Sequence, residues 1–149
     1  MTVKVVERTP LVVVGMAIRT RPMSPEIPAL WPKFVARIDE IGNAAEPRVS
    51  YGVMRHEGDT LHYAAAISVT SAQTIPADMV SLIIPAGNYA AFRYPLSGLG
   101  QGFGEIFNEL LPRSGYQLVP GQPMFERYDE AFCPDIPSSG VDIYIPVRR

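Results

Sequence analysis

Cysteine is nearly missing: Cys133 is the single one among 149 residues. One thiol excludes an internal disulfide and cannot build a Cys-rich metal site. Histidine is scarce too. His56 and His62 lie six positions apart without a recognisable zinc pattern, so both read as surface side chains and no metal is expected. Long apolar runs are absent: the longest, Leu11 to Ile18, falls far short of the roughly 20 residues that cross a bilayer. The first residues show no export signal, and the chain is expected to be soluble and cytoplasmic, with no membrane partner. Charge of one sign is lacking as well. Thirteen Lys+Arg face 15 Asp+Glu, and the arginines are scattered rather than gathered on a face that could neutralise phosphates, which argues against nucleic-acid binding. The glycine-rich Gly98–Gly104 matches neither the phosphate loop nor the dinucleotide fingerprint and reads as a flexible loop; no cofactor is expected. No Gly-x-Ser-x-Gly elbow supports a serine hydrolase.

What is present is an apolar, globular composition, 47% hydrophobic and 19% charged, of a length that suits one domain over residues 1–149. Fifteen prolines and 12 glycines punctuate it, so its elements should be short. Val3 to Arg21 is rich in β-branched residues and reads as a strand. Ser24-Pro25-Glu26 has the form of a helix start, and Leu30, Phe34, Ile38 and Ile41 follow at helical spacing until Gly42-Asn43 stops them. Pro32 cannot donate inside a helix, so the regular helix is expected to begin near Pro28 to Pro32. Strands over Arg48–Arg55 and Leu61–Val69 come next, joined by Glu57-Gly58-Asp59. The order then repeats. Val80 to Pro95 is a strand bent at Pro85–Asn88, Phe103, Ile106, Phe107, Leu110 and Leu111 form a helical stripe ending at Pro112, and Pro123–Glu130 and Val141–Val147 close the chain as strands. Each half reads strand, helix, strand, strand over roughly 70 residues, the pattern of an internal duplication with pseudo-repeats near 3–70 and 79–147. Joined, two such units would leave a groove between the halves, where a small molecule could bind.

The motifs Val13-Val14-Gly15, Leu30-Trp31-Pro-Lys-Phe34, Tyr51-Gly52-Val53, Ile84-Pro85-Ala86-Gly87-Asn88-Tyr89-Ala90, Leu111-Pro112-Arg-Ser-Gly115-Tyr116, Phe125-Glu126-Arg-Tyr128-Asp129 and Asp142-Ile-Tyr144-Ile145-Pro146, in this order, resemble the GyrI-like small-molecule-binding family. That group includes the effector-binding domains of multidrug-responsive regulators such as BmrR and the C-terminal domain of Rob. The resemblance implies an α+β fold of duplicated β-α-β-β units, two antiparallel sheets with two helices around a central cleft for amphipathic, often cationic, organic molecules. It maps the family's buried glutamate onto Glu126 and the aromatic of its last strand onto Tyr144, and places Trp31 and Tyr51 in regions that supply pocket aromatics. Leu110-Leu111-Pro112, where many relatives have Trp-Leu-Pro, and Tyr63-Ala64-Ala65, where they have a glycine-containing motif, depart from the pattern.

The residues carry a reading of their own. Val141, Ile143, Ile145 and Val147 share one strand face, which should be covered by helices, and Asp142 and Tyr144 then point towards the groove. Met124, Glu126 and Tyr128 share a face of their strand, and Ala64, Ala66 and Ser68 form the small groove-facing set of the first half. A carboxylate in an apolar groove is costly to ionise without a partner and would have its pKa raised or await a cation. Cation–π contacts add about 0.5–2 kcal/mol each, so a glutamate among aromatics suits lipophilic cations. Taken alone, Glu126 reads as a sheet carboxylate paired with Arg55 or Arg127; the resemblance turns the reading towards a pocket. Tyr144 alone reads as a half-buried strand tyrosine, Trp31 as core or cleft wall, Tyr51 as core, and Phe103 as packing near the groove entrance. The expected ligand-binding set is Glu126, Tyr144, Trp31, Tyr51, Met124, Asp142 and Phe103. The expected activity is that of a stand-alone binder of an amphipathic, cationic or aromatic compound, which does not itself contact DNA. Two alternatives stay open: a hydrolase of strained electrophiles with Glu126 as base and Tyr144 as proton donor, and a protein that acts through a separate partner such as gyrase.

Overall fold

A computed structural model of the chain describes residues 3–149; the first two residues of the expected 1–149 domain lie outside them. The long first strand is two, β1 (Lys4–Arg8) and β2 (Leu11–Thr20), because Thr9-Pro10 breaks it where proline has no N–H to give a ladder. Helix α1 (Glu26–Val35) begins earlier than expected. Ser24 Oγ accepts from the Glu26 N–H at 3.1 Å, and Pro28 sits in the first turn, where the backbone N–H has no intrahelical partner in any case. Only Pro32 is truly interior. A 3₁₀ turn (Ile38–Glu40) follows, and Asn43 takes a positive φ. Strands β3 (Ser50–Glu57) and β4 (Thr60–Ser68) form a hairpin about Gly58, whose φ of 59° a side chain would resist. Strands β5 (Val80–Ile84) and β6 (Gly87–Pro95) are separated at Pro85-Ala86.

The second helical stripe is compound: α2 (Leu99–Glu105), a π-helical turn (Ile106–Leu110) and α3 (Leu111–Ser114). It runs past Pro112 rather than ending there. The wider π turn places its irregular hydrogen bonding just where Pro112 cannot donate, and the helix stops at Gly115 in the left-handed region. The expected glycine-rich loop at 98–104 is mostly the first turns of this helix. A two-residue β7 (Gln117–Leu118) that sequence reasoning does not expect precedes β8 (Met124–Tyr128) and β9 (Gly140–Arg148).

All pairings are antiparallel, and the two expected sheets are one, joined where β3 meets β8. The order β1-β6-β9-β8-β3-β4-β2-β5, with β7 added beside β9, is a palindrome of the two halves. One sequence offset carries Val6 onto Val80, Gly15 onto Tyr89 and Gly52 onto Glu126, and the β1–β6, β2–β5 and β3–β8 registers respect it, whereas β9 is displaced along its neighbours relative to β4. The halves exchange their outer strands: β1 pairs with β6 of the second half, and β5 with β2 of the first.

The curled sheet is apolar on both faces. Phe34, Tyr63, Ile106, Ile143 and Ile145 fill the face under the helices. Val13, Tyr51, Ile84, Tyr89 and Phe125 fill the other. Val141, Ile143, Ile145 and Val147 are all buried, and the last three pack under the helices as their alternation requires. No helix among the described residues is long and apolar enough to cross a membrane, and no group of three His, Cys, Asp or Glu there suits a metal.

Candidate functional site

β8 lies at the centre of the sheet, between β9 and β3. Its alternation sends Met124, Glu126 and Tyr128 under the helices and Phe125 and Arg127 to the opposite face. Glu126 stands opposite Gly52 on β3 and Ile143 on β9, and only 6% of it is exposed. The Tyr63 hydroxyl donates to Glu126 Oε1 at 2.9 Å and the Tyr128 hydroxyl donates to the same oxygen at 2.8 Å. Oε2 accepts from none of the described residues. Trp31, on α1, donates its indole N–H to the Tyr63 hydroxyl at 3.0 Å and packs edge-on against Tyr128, ring centres 5.1 Å apart. Phe34, one turn along α1, meets the indole at 6.0 Å and fixes it from behind. Gly52 makes the room: a Cβ there would overlap Glu126 Oε1 and the Tyr63 hydroxyl. The pseudo-twofold position of the acid is thus occupied by the one residue small enough to accept it.

Burial pushes the Glu126 carboxyl above its usual value; the hydroxyls of Tyr128 and Tyr63 oppose this without cancelling it. Burial, reinforced by the nearby carboxylate, also lifts Tyr63 and Tyr128 well above the ordinary phenol value, so both act as donors. Among the described residues no cation forms an ion pair with Glu126. Arg127 points away and pairs with Glu46 at 3.1 Å on the other face, so the reading of Glu126 as partner to Arg127 does not hold. The site is a desolvated acid with aromatic walls and, among the described residues, no counterion.

The expected site residues divide between the faces. Trp31 and Met124 join Glu126, and Phe103 on α2 packs against the same core. Tyr144, Tyr51 and Asp142 do not. Phe125, not Glu126, stands opposite Tyr144, and the two rings stack at 4.8 Å with 17° between planes. The Arg8 guanidinium lies 4.8 Å from the Tyr144 ring centre, so the chain's own cation takes the stacking role expected of a ligand. Tyr51 donates to Glu46 Oε1 at 2.6 Å, and Asp142 accepts from Arg93 at 2.8 Å. Ala64 and Ala66 pair with Val53 and Tyr51 and share that second face. The cause is register: β8 and β9 align so that Glu126 meets Ile143, which puts it under the helices while Tyr144 and Asp142 face away. A base and proton donor drawn from Glu126 and Tyr144 are therefore separated by the sheet, and the hydrolase alternative loses its pair. Sequence reasoning misses Tyr63 and the role of Gly52. Tyr128 had a signal, two residues from Glu126 on the same strand face.

Residues 1–148 match the sequence profile of the GyrI-like small molecule binding domain. The transcriptional regulator BrlR of Pseudomonas aeruginosa is 34% identical over 151 residues, covering 99% of this chain and 56% of the regulator, so the chain spans little more than half that protein's length. Among solved structures, SAV2435 bound to tetraphenylphosphonium superposes with a TM-score of 0.80 at 16% identity, covering 99% of this chain and 94% of the other. The EcmrR C-terminal domain gives 0.71 at 13% identity, with 99% and 98% covered. At these identities the structural likeness shows a shared fold.

Proposed function

Because this chain belongs to the GyrI-like small-molecule-binding family, we propose that it captures an amphipathic organic cation with aromatic substituents on the helix-covered face, with Glu126 supplying the charge. The observation that carries the reading is a buried carboxyl with two tyrosine donors on one oxygen, aromatic walls and, among the described residues, no cation paired with it. Keeping such a group ionised is costly; a ligand that brings both positive charge and apolar surface removes the cost and gains stacking on Trp31 and Tyr128. The ligand bound to SAV2435, tetraphenylphosphonium, is of this class. Glu126 is covered, so binding displaces Trp31 and the part of α1 that carries it. α1 buries only Leu30 and Phe34 fully and has Pro32 in its interior, which makes it the loosest cover available. Tyr63 and Tyr128 orient the carboxylate once it is ionised. The domain acts as a single ligand-binding unit over its two pseudo-repeats, related to the effector domains of transcription regulators.

Calorimetric titration with tetraphenylphosphonium and with neutral triphenylphosphine oxide tests this. The cation is expected to bind more tightly as pH rises from 4.5 through the raised pKa of Glu126, by up to about tenfold per unit, and to release a proton as it binds. The oxide should show neither effect. Equal, pH-independent affinities for the two compounds would remove Glu126 from the site.

A further inference from the structure

On the sheet face opposite Glu126 a cleft of about 520 Å³ opens over the ends of β2, β3 and β4, with β5 as one wall. Register lines three bases across its mouth. Arg19 of β2 and Arg55 of β3 both stand opposite His62 of β4, so the three side chains lie abreast on one face. One row further in, Ala17 and Val53 both stand opposite Ala64; Val53 and Ala64 are buried, and the exposed Ala17 gives a shallow apolar floor flanked by Leu82 and Pro123. The acid near the mouth is Glu57, whose carboxylate meets His62 Nε2 at 3.2 Å from a largely exposed position. Arg19 and Arg55 enter no ion pair among the described residues. The two arginines flank β4 from either side, and Glu57, the carboxylate beside them, is hydrogen-bonded to His62 rather than to either guanidinium.

We propose that this cleft binds an amphipathic organic carboxylate with a flat apolar body, its carboxylate held by the guanidinium groups of Arg19 and Arg55 and its body laid on Ala17 between Leu82 and Pro123. The chemistry is specific. Guanidinium forks match a carboxylate in two parallel hydrogen bonds. The small side chain of Ala17 leaves room for a ring, whose burial supplies the rest of the affinity. The domain then carries two sites of opposite charge preference on opposite faces of one sheet.

The test is titration of the full chain with 2-naphthoate, followed by naphthalene fluorescence, beside 2-naphthalenemethanol and inorganic phosphate. Saturable one-to-one binding of naphthoate is expected. The alcohol and phosphate should each bind at least about tenfold more weakly, since one loses the charge-assisted bonds and the other the apolar floor. The double variant Arg19→Gln, Arg55→Gln changes only exposed residues and should lose about tenfold or more. Ala17→Leu, also at an exposed position, should fill the floor and weaken binding without removing charge. Equal binding of naphthoate and the alcohol, an unaffected double variant, or no saturation would overturn the proposal. So would displacement of naphthoate by tetraphenylphosphonium, which would put it on the Glu126 face.

Discussion

Glu126→Gln is expected to make the protein more stable at neutral pH and, at the same time, at least about 30-fold weaker for lipophilic cations. The two effects have one source. Glutamine keeps a carbonyl that accepts from Tyr63 and Tyr128 but cannot ionise, so the hydroxyl partners stay satisfied while the buried charge disappears. For stability the sign is fixed by burial. A carboxyl whose folded pKa lies above its unfolded value of 4.5 favours the fold below pH 4.5, and that contribution is lost as pH climbs through the raised value. Each unit of elevation corresponds to about 1.4 kcal/mol withdrawn once the pH exceeds it. Thermal unfolding followed from pH 4.5 upwards should show the wild type falling relative to the glutamine variant, and parallel curves would refute the argument. For binding, removing one partner of a desolvated charge pair costs about 2 kcal/mol or more, hence the 30-fold. Triphenylphosphine oxide should bind both proteins alike.

Gly15→Ala is expected to cost about 3 kcal/mol or more, out of a total that for a domain of this kind is about 5–15 kcal/mol. A Cβ at Gly15 would overlap the Ala65 carbonyl oxygen and crowd the Ala66 Cα, both main-chain atoms of the strand β2 pairs with. β2 is hydrogen-bonded on both sides, so it can retreat only by breaking its ladder with β4 or by carrying β5 with it. Gly52→Ala is the useful contrast. Its Cβ meets the tips of two side chains, Glu126 and Tyr63, which can turn aside, so about 1–2 kcal/mol is expected. Denaturant unfolding of the two variants decides it: a Gly15→Ala cost no larger than that of Gly52→Ala would show that the sheet yields where it is drawn as rigid.

How much of this was open to sequence reasoning depends on which distances the chain encodes locally. The alternation of β9 announces its own faces, and the inward residues are the ones buried. The entry signal at Ser24-Pro25-Glu26 is local as well and marks the true start, which the weight given to Pro28 and Pro32 set too late. Alternation within a strand does not set its alignment with the next, and a shift of one residue between β8 and β9 would have placed Tyr144 beside Glu126 as expected. Tyr63 lies 63 positions from Glu126 and reaches it across β3, a contact that no spacing rule contains. Pro112 carries a stop signal that is valid for an α-helix and is overridden by the π turn before it. The repeated element order is visible in the sequence, whereas the exchange of β1 and β5 between halves is a tertiary fact.

That exchange bears on how the chain reaches its final form. β1 is made early, yet the strand it leans on, β6, begins only at Gly87, and β2 likewise has one side open until β5 has been made. The first half, newly synthesised, therefore presents bare strand edges to its surroundings, and both outer strands wait on partners distant in sequence, the kind of closure that folding achieves slowly. Neither repeat is a finished object by itself. Each half is completed by a ribbon lent by the other, so neither can settle before both have been made.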